Sequence, residues 1–455
     1  MGSIFSKAKP VAPATVATDT IIPLNPNDDC ALNRGIVMGF MMRFDDVLDP
    51  ERLRSSLTKL LGRSQNKLEY HIPELYDPER PAIAYSHFDY GRSIQDHPIA
   101  SRLPKATLKP TVIETPPERF QDLMRRPDSP KSMRDYIYRD EPQLGLHIES
   151  FNDATLVSLT WLHTLFDGIG RQELLIAWTA TLEGRDNDVK PFHGVDTDPL
   201  AELGKNPTEP FVLADQQLSV WGLIQFILGY LWEIIRHPSE ETRIACIPAA
   251  HIEALKEQVK EELSAQNAGP DKLFASEGDI VTAFIGRLWS QHLPANCSKP
   301  VILGNVLNIC PALARDILPE KTALLSNATS LIITRITAKD LRTKPLSYTA
   351  AAVRRSIQEQ GTREQIEARK TLEEKHSAVM FGDKNMHQIL LSNWGKAKFF
   401  ETDFSAAVVK PGWTCLAQPH KLGKPSLVLN ANYVRGFSLR FAGPIIGKDL
   451  DGNIW

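Results

Sequence analysis

The sequence predicts an α/β fold of two similar domains, each a mixed sheet flanked by helices, joined by a crossover segment. Its 455 residues are enough for two domains of ordinary size with their own cores. Each half also begins with the same order of elements: a β-prone run, a short turn and a helix with apolar residues at helical spacing. The expected divisions are residues 1–195 for the N-terminal domain, 196–240 for the crossover and 241–455 for the C-terminal domain.

In the first half, two β-prone runs are each followed by a helix signal. Apolar and β-branched residues predict the strands, and apolar side chains at helical spacing predict the helices. The two predicted pairs are the strand 34–44 with the helix 49–61, and the strand 154–162 with the helix 170–182. Two other stretches are rich in proline and polar side chains, which favours loops with short elements, and these are residues 75–135 and 185–215.

The second half repeats these signals. The predicted strands are TRIACI (242–247), VILGNVLNI (301–309) and TSLIITRIT (329–337), and the predicted helices are 248–263, 276–289, 348–360 and 363–376. The helix 276–289 begins with Ser276 and has Asp279 three residues later, a spacing typical of a capping box. The last helix carries many charges and is expected to be mostly exposed to solvent.

Composition excludes several classes of protein. Hydrophobic residues make up 42% and charged residues 24% of the chain, as in a globular protein, and the net charge of -3 does not favour a nucleic-acid partner. The five cysteines are scattered without a C-x-x-C pair, and no secretory signal is expected, so a cytoplasmic location is predicted. No metal-ligand spacing, Walker loop or G-x-S-x-G elbow is present.

The stretch TWLHTLFDGIG (160–170) places one histidine between a predicted strand and a predicted helix. Such junctions display side chains at a sheet edge, where functional loops tend to lie. His163 has two interpretations. It is a hydrogen-bonded interior histidine, with Asp167 as a helix N-cap and Gly168 as a turn residue, or it is a neutral imidazole that takes a proton from a hydroxyl or amine.

HTLFDG resembles the H-x-x-x-D-G signature of the BAHD acyl-CoA-dependent acyltransferases, especially of their fungal members. Near the other end, LLSNWGKAKFFETDF (390–404) resembles the family's S-W and D-F-G-W-G segment, in the order that the family has. The resemblance implies two CoA-dependent acyltransferase-type domains with the active site between them, and no bound metal or cofactor. Acyl-CoA would be the co-substrate, acetyl the acyl group and a lipophilic hydroxylated metabolite the acceptor.

The resemblance also assigns roles to single residues. The predicted catalytic-site residues are His163, Asp167 and Asp403, and the predicted substrate-binding residues are Gly168, Ser276, Ser392 and Trp394. His163 would be the general base, and Ser392 and Trp394 would surround the oxyanion that forms on the thioester carbonyl. Asp167 would pair with an Arg of the second domain and hold its loop in shape, and Ser276 would lie near bound CoA.

Two segments depart from the family pattern. The family's D-F-G-W-G is DFSAA here (403–407), in a loop whose role in the family is structural. Cys310 stands where the family has the Arg that pairs with the motif Asp, and Ser326-Asn327 replaces its Gly-Asn pair. Arg315 is one candidate for the partner that Asp167 would then need.

A rival interpretation is a non-catalytic binding protein that keeps the fold while the second motif has decayed. The presence of His163, Asp167 and Trp394 favours the enzyme. A peptide-synthetase condensation domain shares the fold but usually has His before the motif His, where this chain has Leu162. The protein is expected to be a monomer.

The most apolar stretch of the chain is LSVWGLIQFILGYLWEII (218–235). A helix there would be short for a membrane span, and it contains two strongly polar side chains. The alternatives are a buried or tunnel-lining helix, and a helix on a membrane surface with Trp221, Tyr230 and Trp232 at headgroup depth. With the myristoylation pattern at Gly2, the surface helix predicts peripheral contact of a cytoplasmic protein with an internal membrane.

Overall fold

The computed structural model describes residues 11–63, 70–73, 75–194, 197–266, 274–314, 316–376 and 378–455, so Gly2 lies outside the described residues. The strands are β1 (Thr20–Ile22), β2 (Ile36–Phe44), β3 (Val47–Leu48), β4 (Tyr70–Ile72), β5 (Ala84–Asp89), β6 (Thr111–Ile113), β7 (Gly145–Ser150), β8 (Thr155–Leu162), β9 (Phe192–His193), β10 (Ile244–Cys246), β11 (Pro300–Asn308), β12 (Ala323–Leu324), β13 (Thr329–Thr337), β14 (His387–Asn393), β15 (Val408–Lys410), β16 (Leu427–Asn430), β17 (Tyr433–Val434) and β18 (Ala442–Ile445). The α-helices are α1 (Ala31–Arg34), α2 (Pro50–Arg63), α3 (Met133–Tyr138), α4 (Gly168–Leu182), α5 (Val220–Arg236), α6 (Ala249–Gln266), α7 (Glu277–Trp289), α8 (Cys310–Leu313), α9 (Ala338–Thr343), α10 (Leu346–Gln360), α11 (Arg363–Lys375) and α12 (Trp413–Ala417). The strands and helices predicted above are all present, with small differences at their ends.

The first sheet is built around β2 and β8, whose residues are buried along almost their whole length. Its strand order is β16-β2-β8-β7-β5, with β17 also paired to β2, and β2 runs antiparallel to β8. The helices α2 and α4 pack on each other and share the core of this sheet, where Leu53, Leu57 and Trp178 are buried. This packing fixes the point at which β8 ends and the chain turns into α4.

The second sheet has the strand order β13-β11-β14-β18. β11 pairs antiparallel with β13 and parallel with β14, and β14 pairs parallel with β18, so this sheet is mixed. The helices α7, α9 and α10 contact its strands and share its apolar core. The fold is therefore of the predicted class, with mixed sheets flanked by helices.

The C-terminal part of the chain returns to the first sheet. β16 and β17 pair with β2, and β15 pairs with β3. Phe399, Phe400 and Phe404 are buried in the core that also contains β2. The sheets therefore do not separate at residue 241, and the division into 1–195, 196–240 and 241–455 stays a prediction about folding units.

The crossover segment is held by α11. The Glu367 carboxylate accepts from the backbone N–H groups of Gly204 (2.8 Å) and Asn206 (3.0 Å), and the Gln365 side chain accepts from that of Val212 (2.7 Å). Both of these side chains are buried, so the prediction that α11 is mostly exposed is wrong. The crossover backbone needs hydrogen-bond acceptors, and the polar residues of α11 supply them.

The helix α5 presents an apolar face to solvent, and none of its residues is buried. Its large apolar side chains that are between 40% and 78% exposed are Val220, Trp221, Ile224, Ile227, Leu228, Leu231, Trp232 and Ile235. The opposite face lies on the protein, where Phe226 packs near Phe381 and the Tyr230 hydroxyl donates to the Ser438 carbonyl at 2.8 Å. The interpretation of α5 as a buried helix is therefore wrong.

Within the described part of the chain, none of the helices combines the length and the apolar character needed to cross a membrane.

Candidate active site

His163 lies where β8 ends and the chain turns toward α4. Its backbone N–H donates to the Ile36 carbonyl at 2.9 Å, which extends the pairing of β8 with β2 by one residue. Its carbonyl accepts from Nδ2 of Asn327 at 2.9 Å. The backbone that carries the imidazole is therefore fixed from two sides, by the first sheet and by the segment after β12.

The imidazole of His163 is half-buried, and its Nδ1 is shielded from solvent. Burial penalises the imidazolium and lowers the pKa of His163 from its ordinary value of 6.5. The charge of Asp167 opposes this lowering of the pKa, whereas the charge of Arg171 adds to it. The imidazole is therefore neutral at pH 7, the form that accepts a proton.

Asp167 is the N-cap of α4. Its Oδ1 accepts from the backbone N–H groups of Ile169 and Gly170, both at 2.9 Å, and its Oδ2 accepts from that of Ala328 at 3.0 Å. Three backbone donors thus surround a carboxylate that is only 8% exposed. Asp167 is therefore a helix N-cap, as one of the two interpretations of this segment predicted, and it also ties α4 to the segment after β12.

The predicted ion pair between Asp167 and an Arg is absent among the residues that the structure describes, and Arg315 lies outside them. Cys310, at the family's Arg position, does lie near Asp167. Burial raises the pKa of the Cys310 thiol to about 12, and the charge of Asp167 contributes to this. A neutral thiol cannot form an ion pair with a carboxylate. The backbone N–H of Ala328 instead links Asp167 to the second half of the chain.

Asp28 fixes Asn327, which in turn fixes the backbone of His163, and no sequence pattern indicated this role for Asp28. This carboxylate is 1% exposed and accepts from Ser326 Oγ (2.8 Å), the Asn327 backbone N–H (2.7 Å) and Asn327 Nδ2 (2.9 Å). Because Asn327 Nδ2 also donates to the His163 carbonyl, Asp28 orients the amide that supports the imidazole. Only the position of Ser326-Asn327 in the family pattern pointed toward this network.

Trp394 and Ser392 approach the start of α4 from the end of β14. The indole N–H of Trp394 donates to Ser392 Oγ at 2.9 Å. A Cβ placed on Gly168 would lie 3.0 Å from Cδ1 of Trp394, so the indole packs directly against the backbone of this glycine. Gly168 has no positive φ, and its expected role as a turn residue is wrong because it is the first residue of α4.

Ser276 is the N-cap of α7 and forms the predicted capping box. Its backbone N–H and hydroxyl donate to Oδ2 of Asp279 at 2.6 and 2.7 Å, and Arg354 contacts both side chains. A Cβ on Gly278 would lie 3.0 Å from Nδ2 of Asn393, so this helix begins beside the strand end that carries Ser392. A contact between Ser276 and CoA stays a prediction.

Asp403 does not join this group. Its Oδ1 accepts from the backbone N–H of Ser405 at 2.8 Å, which begins a short 3-10 turn. The next residue, Phe404, is buried edge-on against Phe44 and Trp178, with ring centroids 5.5 and 4.8 Å away. The DFSAA segment thus packs the core that supports α4, in agreement with a structural loop.

The described residues contain no cluster of three or more His, Cys, Asp or Glu side chains that could hold a metal ion.

Comparisons with known proteins identify the family and the fold of the chain. The family model described as Transferase family matches residues 113–439. The chain is 36% identical over 492 residues to acetyltransferase sphE of Aspergillus fumigatus, covering 100% of this chain and 95% of that protein. It is 41% identical over 474 residues to a Penicillium decumbens protein named transcriptional regulator calD, with 100% and 95% coverage.

Solved structures share the fold at low sequence identity. TRI101 of F. sporotrichioides, complexed with coenzyme A and T-2, has a TM-score of 0.61 and 15% identity over 96% of this chain and 93% of that chain. Vinorine synthase has a TM-score of 0.55 and 14% identity over 98% and 92%. With the family model matching more than half of the sequence, the chain belongs to the Transferase family, as a BAHD-type acyltransferase.

Proposed function

We propose that this protein transfers an acetyl group from acetyl-CoA to a hydroxyl of a lipophilic specialised metabolite, with His163 as the general base. The observation that carries the proposal is the position of His163 at the end of β8, where hydrogen bonds with Ile36 and Asn327 fix its backbone and burial lowers the pKa of its imidazole. Several relatives named acetyltransferases, including adrJ of Penicillium roqueforti at 35% identity, support the acyl group. The CoA-bound neighbour TRI101 supports the co-substrate.

The reaction needs one base and no protein nucleophile. Nδ1 of His163 is shielded from solvent, so we assign the role of base to Nε2 and the proton of the neutral ring to Nδ1. Nε2 removes the acceptor's hydroxyl proton as the oxygen attacks the thioester carbonyl carbon. The tetrahedral intermediate then expels the CoA thiolate, which takes the proton back from His163, so the ester and free CoA are released.

Ser392 is suited to stabilise the oxyanion of that intermediate. Its oxygen already accepts the indole N–H of Trp394, which leaves its own O–H hydrogen for another acceptor. A donor aimed at the developing negative charge contributes more in a dry site than in water. We assign the oxyanion contact to the Ser392 hydroxyl, with Trp394 holding it in position.

The test is a comparison of two half-buried, neutral histidines. His163→Gln should lower kcat by about 10² or more, the usual contribution of a general base, while affinity for CoA stays within about twofold. The control is His387→Gln at the start of β14, because burial lowers the pKa of His387 to about 4 and makes it equally neutral. Turnover is measured as release of free CoA and as acetylated product by mass spectrometry, over a panel of acyl-CoA donors and hydroxylated acceptors.

The proposal fails if a folded His163→Gln variant keeps wild-type turnover. It also fails if the two variants lose activity equally, because the loss would then reflect damage to the fold.

A second candidate function is a non-catalytic protein with an acyltransferase fold. Two relatives are named transcriptional regulators, calD at 41% identity and sdnM of Sordaria araneosa at 30%. This candidate predicts that wild-type protein releases no CoA above the rate of His163→Gln with any donor, even by slow hydrolysis of the thioester. Any release that depends on His163 excludes it.

We further propose that the protein is a cytoplasmic monomer that contacts a membrane through the exposed face of α5. This face repeats every three or four residues along the helix and is about 24 Å long. Trp221 and Trp232 suit the headgroup region, and Arg236 at the C-terminal end suits anionic lipids. The Tyr230 hydroxyl faces the protein and takes no part. Such contact would bring the enzyme to an acceptor dissolved in the bilayer.

Membrane contact is tested by sedimentation with liposomes that contain anionic lipid. The protein should partly sediment, and the triple variant Trp221→Ser, Leu228→Ser, Trp232→Ser should stay in the supernatant and keep its turnover of a water-soluble acceptor. A control triple variant removes other apolar side chains that are 82–99% exposed, and these are Leu75, Leu108 and Trp413. If α5 instead joins two copies, light scattering shows a dimer that the first triple variant separates, and the membrane proposal is wrong.

A further inference from the structure

Arg171 lies one turn into α4 and is fully buried. Four aromatic rings surround its guanidinium carbon, with centroids at 4.2 Å (Phe40), 4.3 Å (Trp394), 4.3 Å (Phe399) and 5.5 Å (Trp161). Burial lowers the pKa of Arg171 to about 9, so the group still carries its charge at pH 7. A cation is thus held between aromatic faces directly behind the candidate active site.

The guanidinium makes no ion pair or hydrogen bond through its nitrogens with any residue that the structure describes. Asp167 precedes it by four residues on the same helix, a spacing that allows ion pairs, yet the carboxylate is occupied by three backbone N–H groups. Unpaired charges are costly to bury, and here the ring faces supply the attraction that an anion usually supplies.

Arg125 shows the ordinary arrangement for comparison. It is also buried and lies 4.4 Å from the ring of Tyr433, but its Nη2 donates to the Ala431 carbonyl at 2.7 Å. A Cβ on Gly39 would meet Arg125, whereas Arg171 faces the next residue, Phe40. Successive residues of β2 point to opposite faces, so the two arginines lie on opposite faces of the first sheet. Only Arg171 contacts Trp394.

We propose that Arg171 is a positioning residue for acyl transfer, which acts through Trp394 on the Ser392 hydroxyl. A cation against the indole face draws electron density from the ring and makes the indole N–H a stronger donor. The N–H of Trp394 donates to Ser392 Oγ at 2.9 Å, and hydrogen bonds in a chain strengthen one another. Ser392 then donates more strongly to the oxyanion. This inference rests on the proposed acyl transfer.

The kinetic test is a double-mutant cycle. Arg171→Met should lower kcat about tenfold, and Ser392→Ala about 10², the effect of losing an oxyanion donor. The double variant should lose little more than Ser392→Ala alone, because Arg171 acts through that hydroxyl. KM for acyl-CoA should stay within about twofold.

The matched control is Arg125→Met. It removes a buried guanidinium from the opposite face, so it should lower stability and leave kcat per folded molecule unchanged, both in the wild-type protein and in Ser392→Ala. If Arg171→Met behaves in this way, or keeps wild-type kcat, the proposed role is wrong.

A second readout needs no substrate. The indole N–H resonance of Trp394, assigned by its loss in Trp394→Phe, should move upfield in both Arg171→Met and Ser392→Ala, and much less in Arg125→Met. A resonance that moves in Ser392→Ala but not in Arg171→Met overturns the coupling. Absence of acyl transfer by the wild-type protein would refute the proposed function, and the resonance would still decide whether Arg171 acts on Trp394.

Discussion

The helices α4 and α5 have nearly the same length, 15 and 17 residues, and opposite environments. α4 contains Arg171, Gln172 and Glu173 in its first two turns, yet ten of its residues are buried. α5 is the more apolar sequence, and none of its residues is buried. Apolar content therefore does not decide which helix enters the core. The neighbouring strand does, because α4 follows directly from β8 and packs beside α2, whereas α5 lies at the end of the crossover.

The same comparison separates stability from function. The buried face of α4 contributes to the core, and its first turn contributes to the site through Asp167, Gly168 and Arg171. The exposed face of α5 contributes little to the fold and has a function only if something binds to it. Matched substitutions in the two helices should therefore give opposite patterns.

The largest expected difference is between two tryptophans. Trp178 of α4 is fully buried, its indole N–H donates to Ser56 Oγ at 3.0 Å, and it packs against Phe404. Trp178→Ala should lower the free energy of unfolding by about 3–5 kcal/mol, since it leaves a cavity. Trp232→Ala in α5 should change it by less than about 0.5 kcal/mol. Urea unfolding measures both, and a loss above about 2 kcal/mol in Trp232→Ala would show that α5 is covered in solution.

The next difference is between the two N-caps. Asp167→Ala leaves three backbone N–H groups without their acceptor and unties the segment after β12, so it should cost about 2–3 kcal/mol. Ser219 accepts one exposed N–H, from Gly222 at 3.1 Å, and Ser219→Ala should cost about 0.5–1 kcal/mol. Thermal unfolding compares them. Equal losses would mean that the Ala328 contact adds nothing to the cap.

The sequence predicted the elements that local signals define. The helix predicted over 49–61 is present as α2, Ser276 and Asp279 form the expected capping box, and His163 lies at the predicted junction at the end of β8. These features depend on residues a few positions apart, so the local sequence contains what determines them.

Long-range partners could not be predicted in the same way. Asp28 reaches Asn327 across 299 positions, and Arg171 meets Trp394 only after the C-terminal segment has folded onto the first sheet. Glu367 and Gln365 looked like solvated residues because the crossover backbone that they bind is distant in sequence. In each case the contact that matters joins residues far apart in sequence, and only the fold brings them together.

The pH dependence of turnover tests His163, which lies between β8 and α4. The pKa of His163 is lowered by burial, so the base stays neutral as the pH falls through 7, and kcat/KM should remain flat and decline only below about 6.5. The triple variant of α5 should show the same profile. A decline that begins above pH 7 would contradict a neutral, buried base, and a profile altered by the α5 substitutions would connect that helix to the chemistry.

The smallest expected effects come from one glycine in each helix. Gly229 lies within exposed α5, and no atom lies within 4 Å of the place that a Cβ would take. Gly229→Ala should therefore stabilise the protein by about 0.5–1 kcal/mol through helix propensity alone.

Gly168→Ala places a Cβ 3.0 Å from Trp394, which can yield by a few tenths of an ångström, and the net change in stability should be small. Its cost should appear in kcat, because the displaced indole loosens its hydrogen bond to Ser392. Thermal unfolding and turnover on the same samples separate the two effects. If Gly168→Ala keeps full turnover, Trp394 does not need its observed position, and the oxyanion role assigned to Ser392 and Trp394 loses its support.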